Sequence, residues 1–453
     1  AITVEESGIT ECIIQPVAVY KDVFRQSLND VIVYCQAFYL DNEEYEGDIK
    51  EVDFNTDVFL EYVKSLNLHP VNPNFYNAME NFESEEYANH KPMFGFEQEF
   101  FMINPETNMP YGMVKIPKRK TECFFMNMIL NFLKHIFFRT NVYTGVEGPQ
   151  GPYYCSVGNG CSQLRSFLYD SMDKALEMGL SITGFNYEVA PGQAEFQVCD
   201  YGINACHQLM MMRYILVANG ENYGVKVSFD NCVIPGGEFN HSGCHTNFST
   251  LKMRSQDSED NNELVGLNYI IDVIDNFDTN ILNNYKSFES VFGEGVTNRL
   301  QGDLETSSWR DFTWGSGTRC TSIRIPINVA RNGYGYLEDR RPGANVDPYT
   351  ISNWLMTQVI NYENLPEEED NENKETNENN LENNNKSPNN GSCPNSGSCP
   401  NSDVCANGGE LNIEDNINLD NNGKSSTPIE EECELVENIP EVKKSKSYFG
   451  GLF

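Results

Sequence analysis

Basic residues are scarce in this 453-residue chain: Lys and Arg total 31 against 67 Asp and Glu, a net charge of -36. Nucleic acid is held by Lys and Arg that displace its counterions, so this balance excludes binding it through a basic surface. The deficit runs through the whole chain. Residues 361–453 hold 20 acidic and 6 basic side chains, which leaves a net -22 for residues 1–360. Long apolar runs are missing as well. No hydrophobic signal segment opens the chain, and the apolar stretch Cys123 to Phe138 is too short, and too interrupted by Asn127, Asn131, Lys134 and His135, to span a bilayer. An interfacial or partner-binding helix, an added core helix and a translated non-coding stretch stay open for it. No Gly-Lys-Ser/Thr phosphate loop and no kinase signature set occurs, so neither familiar nucleotide fold applies. The fourteen cysteines are too scattered for a small disulfide scaffold, and a reducing cytoplasm is the expected setting.

What is present is enough sequence for two or three compact units. Up to about residue 90, short apolar runs such as Val31-Ile32-Val33-Tyr34 and Ala37-Phe38-Tyr39-Leu40 alternate with polar turns, which suits a small sheet-containing unit. From 93 to about 360, strand and helix patterns alternate in one dense α+β stretch. The spacing of Leu164, Phe167, Leu168, Met172, Ala175 and Leu176 predicts a helix over 162–179 with that stripe in the core and Gly179 at its end. Beyond about residue 362 the chain turns to Asn, Glu, Asp, Ser, Gly and Pro, with a six-residue repeat at 390–401. Such a segment buries too little apolar area to offset its ordering entropy, so disorder is expected; its aromatic last residues are a frayed end or a short docking peptide.

Phe94 to Phe100 reads Phe-Gly-Phe-Glu-Gln-Glu-Phe, which puts Glu97 and Glu99 on one face of a strand. Two carboxylates there repel each other, so they face water or hold something positive. A second pair is Glu188 and Glu195. With Ala190 to Gln193 as a four-residue hairpin loop, Glu188 lies directly opposite Glu195, an arrangement that a divalent cation would turn from repulsive to attractive. His245, in a run of small residues around Asn240 and Gly243, can serve as a neutral imidazole ligand, although a single His is more often a core residue. Arg319, Arg324, Arg340 and Arg341 surround a further carboxylate, Glu338, which shares a strand face with Arg340. Hard oxygen ligands with one His, beside Arg that can grip an anion, suggest Mg²⁺ or Mn²⁺ serving ATP chemistry.

These segments carry a resemblance. The 94–99 run, Gly148 to Gly158, Ala190 to Gln197, residues 240–250, Ser322 to Pro326 and Gly335 to Pro342 resemble, in order over roughly residues 1–360, glutamine synthetase of the eukaryotic type. The resemblance implies an α+β fold: an incomplete β-grasp-like N-terminal domain (1–65), a large catalytic domain with an antiparallel active-site sheet (66–361) and the acidic tail (362–453). It implies ATP-dependent condensation of glutamate with ammonia through γ-glutamyl phosphate, in homo-oligomers of stacked pentameric rings. Glu99, Glu188 and Glu195 would then hold one divalent ion, and Glu97, His245 and Glu338 another. Asn240, His241, Arg299 and Arg340 match glutamate positions; Asn247, Ser249, Arg319, Arg324 and Tyr336 match nucleotide positions. Glu305, with Arg319 and Arg340, matches the catalytic set, Glu305 as the flap residue that takes a proton from ammonium and shields the intermediate from water.

The chain also departs from the pattern. Thr3 to Arg25 resembles the stretch just after the family's Asp-Gly-Ser-Ser motif, whose aspartate binds ammonium and is absent from this sequence. His241 stands where the family has Gly, and its side chain could crowd the substrate or forbid a positive φ. Met93 replaces a Trp near the adenine, and about 117–144 is an insertion. Two alternatives follow: a degenerate member acting as a binding or structural subunit, and a γ-glutamyl ligase that uses another amine.

Overall fold

A computed structural model describes residues 12–25, 29–40, 68–115, 143–145, 148, 150–158, 162–234, 239–256, 264–304 and 306–366. Nearly all of these belong to one compact unit. Most of the 117–144 insertion, the tail beyond residue 366 and Glu305 lie outside the described residues.

The two apolar runs near the N-terminus form one continuous strand. β2 (Val31–Leu40) pairs antiparallel with β1 (Ile13–Lys21), with a register shift between Pro16 and Ala18, where the ring leaves no N–H for the ladder. The body is built on β3 (Met93–Asn104), β4 (Ile182–Tyr187), β5 (Gln193–Tyr201), β6 (Cys244–Ser249), β7 (Trp314–Ser316), β8 (Ile323–Ile325) and β9 (Leu337–Asp339). Their order across the sheet is β7-β8-β9-β6-β3-β5-β4, and short strands at Met109–Pro110 and Lys226–Ser228 also pair with β3. All these pairs are antiparallel except β7 with β8. The fold is therefore α+β, with the expected antiparallel site sheet.

β3 explains how this sheet carries both a core and a site. Phe94, Phe96 and Gln98 turn to one face and are wholly buried, while Gly95, Glu97 and Glu99 turn to the other. Phe94 stacks on Phe248 of β6 with ring centroids 5.1 Å apart, and each such ring contributes about 1.5–3 kcal/mol by leaving water. Helices cover that face. α1 (Pro73–Glu83) starts with Pro at its first turn and with the Asn72 side chain accepting from the backbone of Asn74 and Phe75. α2 (Arg165–Met178) ends at Gly179, φ 89°, as the sequence predicts. Its stripe differs in one place: Leu176 is 52 % exposed, and Met178, on the other flank of the stripe, packs inward in its stead. α3 (Gly202–Tyr223) and α7 (Pro348–Glu363) complete the layer with α4 (Val265–Asp275), α5 (Tyr285–Phe292) and α6 (Val296–Arg299). No helix among the described residues is long and apolar enough to cross a membrane. Seven described cysteines are free, and Cys320 is disulfide-bonded, a pairing that the scatter of cysteines did not suggest.

A polar knot ties β2 to this body. The Tyr349 hydroxyl of α7 lies 2.8 Å from the Tyr34 hydroxyl of β2 and 2.8 Å from His207 Nδ1 of α3, with the Phe75 ring stacked on Tyr349 at 4.4 Å. Burial pushes the His207 imidazole down to about 4, so it is neutral here. Tyr349→Phe keeps the packing and strips both neighbours of a partner, and is expected to cost about 1–3 kcal/mol in urea unfolding. An unchanged midpoint would show that the knot contributes nothing.

Candidate metal and nucleotide site

The register of the sheet assembles the acidic residues. Glu97 on β3 is opposite His245 on β6; Asn247, two residues on, is opposite Glu338 on β9; and Glu99 is opposite Glu195 on β5. Two triads result. The ligand atoms of Glu99, Glu188 and Glu195 lie within 4.8 Å of one another, and so do those of Glu97, His245 and Glu338. Glu97 and Glu99 thus leave one strand face for two neighbouring clusters.

The hairpin register differs from the sequence expectation. Tyr187, not Val189, pairs with Ala194, and Asn186, not Glu188, stands opposite Glu195. The cause is that Val189 leaves the ladder: its carbonyl accepts from Gly151 N at 2.9 Å. The turn behind it needs glycine at 192, φ +73°, because a Cβ there would lie 2.7 Å from the Tyr111 carbonyl oxygen. A slip of two residues keeps side chains on the same face, so Glu188 still joins Glu99 and Glu195.

The two triads are compensated differently. In the first, the hydrogen bonds come from neutral donors: Gln193 Nε2 (3.0 Å) and Gly243 N (2.9 Å) to Glu99, Asn186 Nδ2 (2.7 Å) to Glu188 and Gln197 Nε2 (2.7 Å) to Glu195. Among the described residues none of these carboxylates is ion-paired to Lys or Arg. Burial, with the Arg299 charge acting against it, pushes Glu99 up to about 7. Burial and then the charge of Glu99 push Glu188 up to about 8, and burial with the neighbouring carboxylates raises Glu195 well above its usual range. Three clustered carboxylates, two buried and one half-buried, with no direct ion pair among the described residues fit a hard divalent cation.

The second triad is held by arginines. Arg340 Nη1 donates to Glu338 Oε1 at 2.7 Å, Arg324 ion-pairs with Glu338, and Arg299 Nη2 lies 2.8 Å from His245 Nε2. A guanidinium only donates, so His245 Nε2 is the acceptor. Nδ1 then carries the ring proton and faces Glu97 and Glu338, each at 3.4 Å. Burial, then Arg340 and Arg299, hold this histidine well below its usual range, and it is neutral, as a ligand must be. The donor set fits a cation once the arginines turn outward and the His245 ring proton moves from Nδ1 to Nε2, which frees the lone pair that faces Glu97 and Glu338. Gly243 leaves room for the Arg299 fork in this position, since a Cβ there would lie 2.5 Å from Arg299 Nη2.

A cleft of about 370 Å³ opens against Glu97, with Met93, Asn247, Ser249, Arg254 and Tyr336 in its wall. Of the residues expected at a nucleotide, Asn247, Ser249 and Tyr336 meet in this cleft. Arg324 reaches Glu338 instead, and Arg319 supplies a backbone oxygen to Arg340 Nε (3.1 Å) while its guanidinium lies 5.8 Å from the Tyr154 ring centroid. Asn240 donates its backbone N–H to Gln150 Oε1 at 2.8 Å. His241 Nδ1 faces Cys232 Sγ at 3.4 Å, and His241 is not among the residues with positive φ, so that objection to a side chain here falls away. Sequence reasoning passed over Gln193 and Gln197, although the i±2 spacing around Glu195 puts all three on one strand face. It also passed over Arg254, whose guanidinium donates to Ser249 Oγ at 2.8 Å.

The sequence profile of the glutamine synthetase catalytic domain matches residues 75–388. The chain is similar to the cytosolic isozyme 1-1 of glutamine synthetase from Oryza sativa subsp. japonica, 32% identical over 78% of this chain and 80% of that protein. It is similar to the mitochondrial glutamine synthetase 1 of Drosophila melanogaster, 31% identical over 77% and 71%. With the glutamine synthetase of Agaricus bisporus it shares 37% identity over 61% and 66%.

Proposed function

The chain belongs to the glutamine synthetase family, and on that premise we propose that it condenses glutamate with ammonia at the cost of ATP, by way of γ-glutamyl phosphate. The observation that supports this reading is the pair of neighbouring triads, with Glu97 of the second in the wall of the cleft. Glu99, Glu188 and Glu195 are assigned to one Mg²⁺ or Mn²⁺, and Glu97, His245 and Glu338 to a second. When bound, the ions neutralise the transferring phosphoryl group.

The remaining roles belong to the chain's own side chains. Asn247, Ser249, Tyr336, Arg319 and Arg324 are assigned to ATP, and Asn240, His241, Arg299 and Arg340 to glutamate. Arg299 and Arg340, which now turn onto His245 and Glu338, can take a substrate carboxylate in the same forks. The γ-carboxylate oxygen attacks the terminal phosphorus and ADP leaves. Glu305 accepts a proton from ammonium, the freed lone pair attacks the γ-carbonyl carbon, and the C–O bond to phosphate breaks as the nitrogen passes a second proton to the departing phosphate. Stacked pentameric rings and a cytoplasmic location belong to the same proposal.

The test is release of phosphate from ATP by the full chain with Mg²⁺ or Mn²⁺. Dependence on both glutamate and ammonium is expected, with methylamine a poorer acceptor by tenfold or more (on the order of 1–2 kcal/mol). Equal or better use of methylamine would make it a ligase for another amine. ATP binding without any turnover would make it a binding subunit.

A further inference from the structure

We propose that Arg213, acting through Gln98, is a positioning residue for the cation-binding carboxylates; this rests on the metal role assigned above to Glu97 and Glu99. Gln98 lies between them, so strand alternation sends its side chain to the opposite face, into the helical layer, where it is wholly buried. An amide there is costly unless every polar atom finds a partner. Gln98 Oε1 accepts from Arg213 Nε at 2.7 Å, and Nε2 donates to the backbone oxygens of Glu99 (2.8 Å) and Ala344 (3.0 Å).

Arg213 spreads the rest of its fork over the chain that follows β9. Nη2 donates to Ala344 O at 3.1 Å and Nη1 to Val346 O at 3.0 Å. From Ala344 the contacts return to the first triad: Ala344 N donates to Ser242 O at 3.2 Å, Ser242 Oγ accepts from Gln193 Nε2 at 3.2 Å, and Gln193 holds Glu99. Gly243, next in the chain, gives its N–H to Glu99. One guanidinium therefore holds the middle of β3, which bears Glu97 and Glu99, and the segment after β9, which follows Glu338 and reaches through Ser242 to the approach to β6 and His245.

The choice of residue supports the inference. Among the described residues no carboxylate lies at ion-pair distance from Arg213, and burial lowers the pKa of its guanidinium. Arg213 is half-buried as a residue, but its guanidinium is desolvated with no direct counter-ion, which is an expensive way to join a helix to a sheet, and apolar packing would do so at less cost. What apolar packing lacks is direction. A planar fork with three acceptors sets the strand's height and rotation, and carboxylates that repel one another need that restraint from behind.

The experiment compares Arg213→Lys with Asn219→Ala. Asn219 is also buried on α3 and donates to Ser171 Oγ at 2.9 Å, away from the triads. Mn²⁺ alone is titrated into the full chain by calorimetry and by thermal shift, and then in the phosphate-release assay. Arg213→Lys is expected to raise the half-saturating Mn²⁺ about tenfold, the lower end for loss of a group that orients a ligand, with kcat at saturating Mn²⁺ within about threefold of wild type. Asn219→Ala is expected to lower the melting temperature and leave the Mn²⁺ midpoint in place. Gln98→Met, which removes the other half of the contact, should reproduce the Mn²⁺ shift and serves if Arg213→Lys does not fold. Wild-type Mn²⁺ midpoints in the Arg213 and Gln98 variants, or an equal shift in Asn219→Ala, would overturn the inference while leaving the metal site intact. Wild-type protein that takes up no Mn²⁺ would overturn both, and that is visible before any variant is made.

Discussion

Glu188→Gln is expected to abolish turnover and, at the same time, to raise the melting temperature of the metal-free protein. The two effects share one cause. Glu188 sits with Glu99 and Glu195 in a buried cluster whose hydrogen bonds come only from neutral donors, and its carboxyl is pushed up to about 8 by burial and the charge of Glu99. Ionising it in the folded chain above that pH costs on the order of 3 kcal/mol or more relative to the unfolded chain. Glutamine has the same shape, and its Oε1 can still accept from Asn186 Nδ2, which donates to Glu188 at 2.7 Å. The packing survives and the penalty goes, so a gain of several degrees is expected in the melting temperature at pH 8.5 without metal. The same change removes one of three anionic ligands. Mn²⁺ uptake at this triad should be lost in calorimetry, and phosphate release should fall on the order of a thousandfold, since a bound cation supplies several kcal/mol to phosphoryl transfer. A variant less stable than wild type at pH 8.5 without metal would contradict the account of the cluster. One that still binds Mn²⁺ as wild type does would contradict its role.

Spacing made the carboxylate pairs legible, while the division into two triads with His245 and Glu338 came from the family resemblance. Glu97 and Glu99 are two apart on one strand, and His245 precedes Asn247 and Ser249 by two and four. Register was harder. A two-residue slip leaves every side chain on its face, so the pattern admits Glu188 opposite Glu195 and Asn186 opposite Glu195 equally, and the contact of Val189 with Gly151 decided between them. Leu176 and Met178 lie on opposite flanks of the stripe that runs through Ala175, and only the neighbouring layer selects the flank to bury. The Arg213–Gln98 contact spans 115 residues and joins a helix to the reverse of a strand. Nothing in local spacing distinguishes such an arginine from one on a solvated face. The inward turn of Arg299, Arg324 and Arg340 is equally invisible, because it depends on which anions compete for the same forks.

The stability of the metal-free protein should fall as pH rises from about 6.5 to 8.5, and Mg²⁺ should remove the fall. Glu99 and Glu188 are raised in the folded chain to about 7 and about 8, from the ordinary 4.5 of an unfolded glutamate. In the window between, the folded state binds more protons than the unfolded state, so stability decreases with pH. The contribution is fully present below about 4.5 and is lost as pH passes through the folded values. Histidines act in the opposite sense. Burial lowers His207 to about 4 and His245 well below its usual range, so their contribution is present above about 6.5 and is lost as pH falls below it. Below pH 6.5 the two trends oppose each other; above it the carboxylates lead, and the buried thiols of Cys206 and Cys244, which burial raises, act in the same direction toward pH 8.5. A cation binds the ionised triad and displaces those protons, which turns the penalty into attraction. The melting temperature gained on adding Mg²⁺ should therefore widen steadily between pH 6.5 and 8.5, by the equivalent of on the order of 3 kcal/mol. Because the acidic surface, net -36 over the whole chain, also attracts Mg²⁺, the same series on Glu188→Gln separates the two: surface binding would preserve the widening, whereas the triad requires it to flatten.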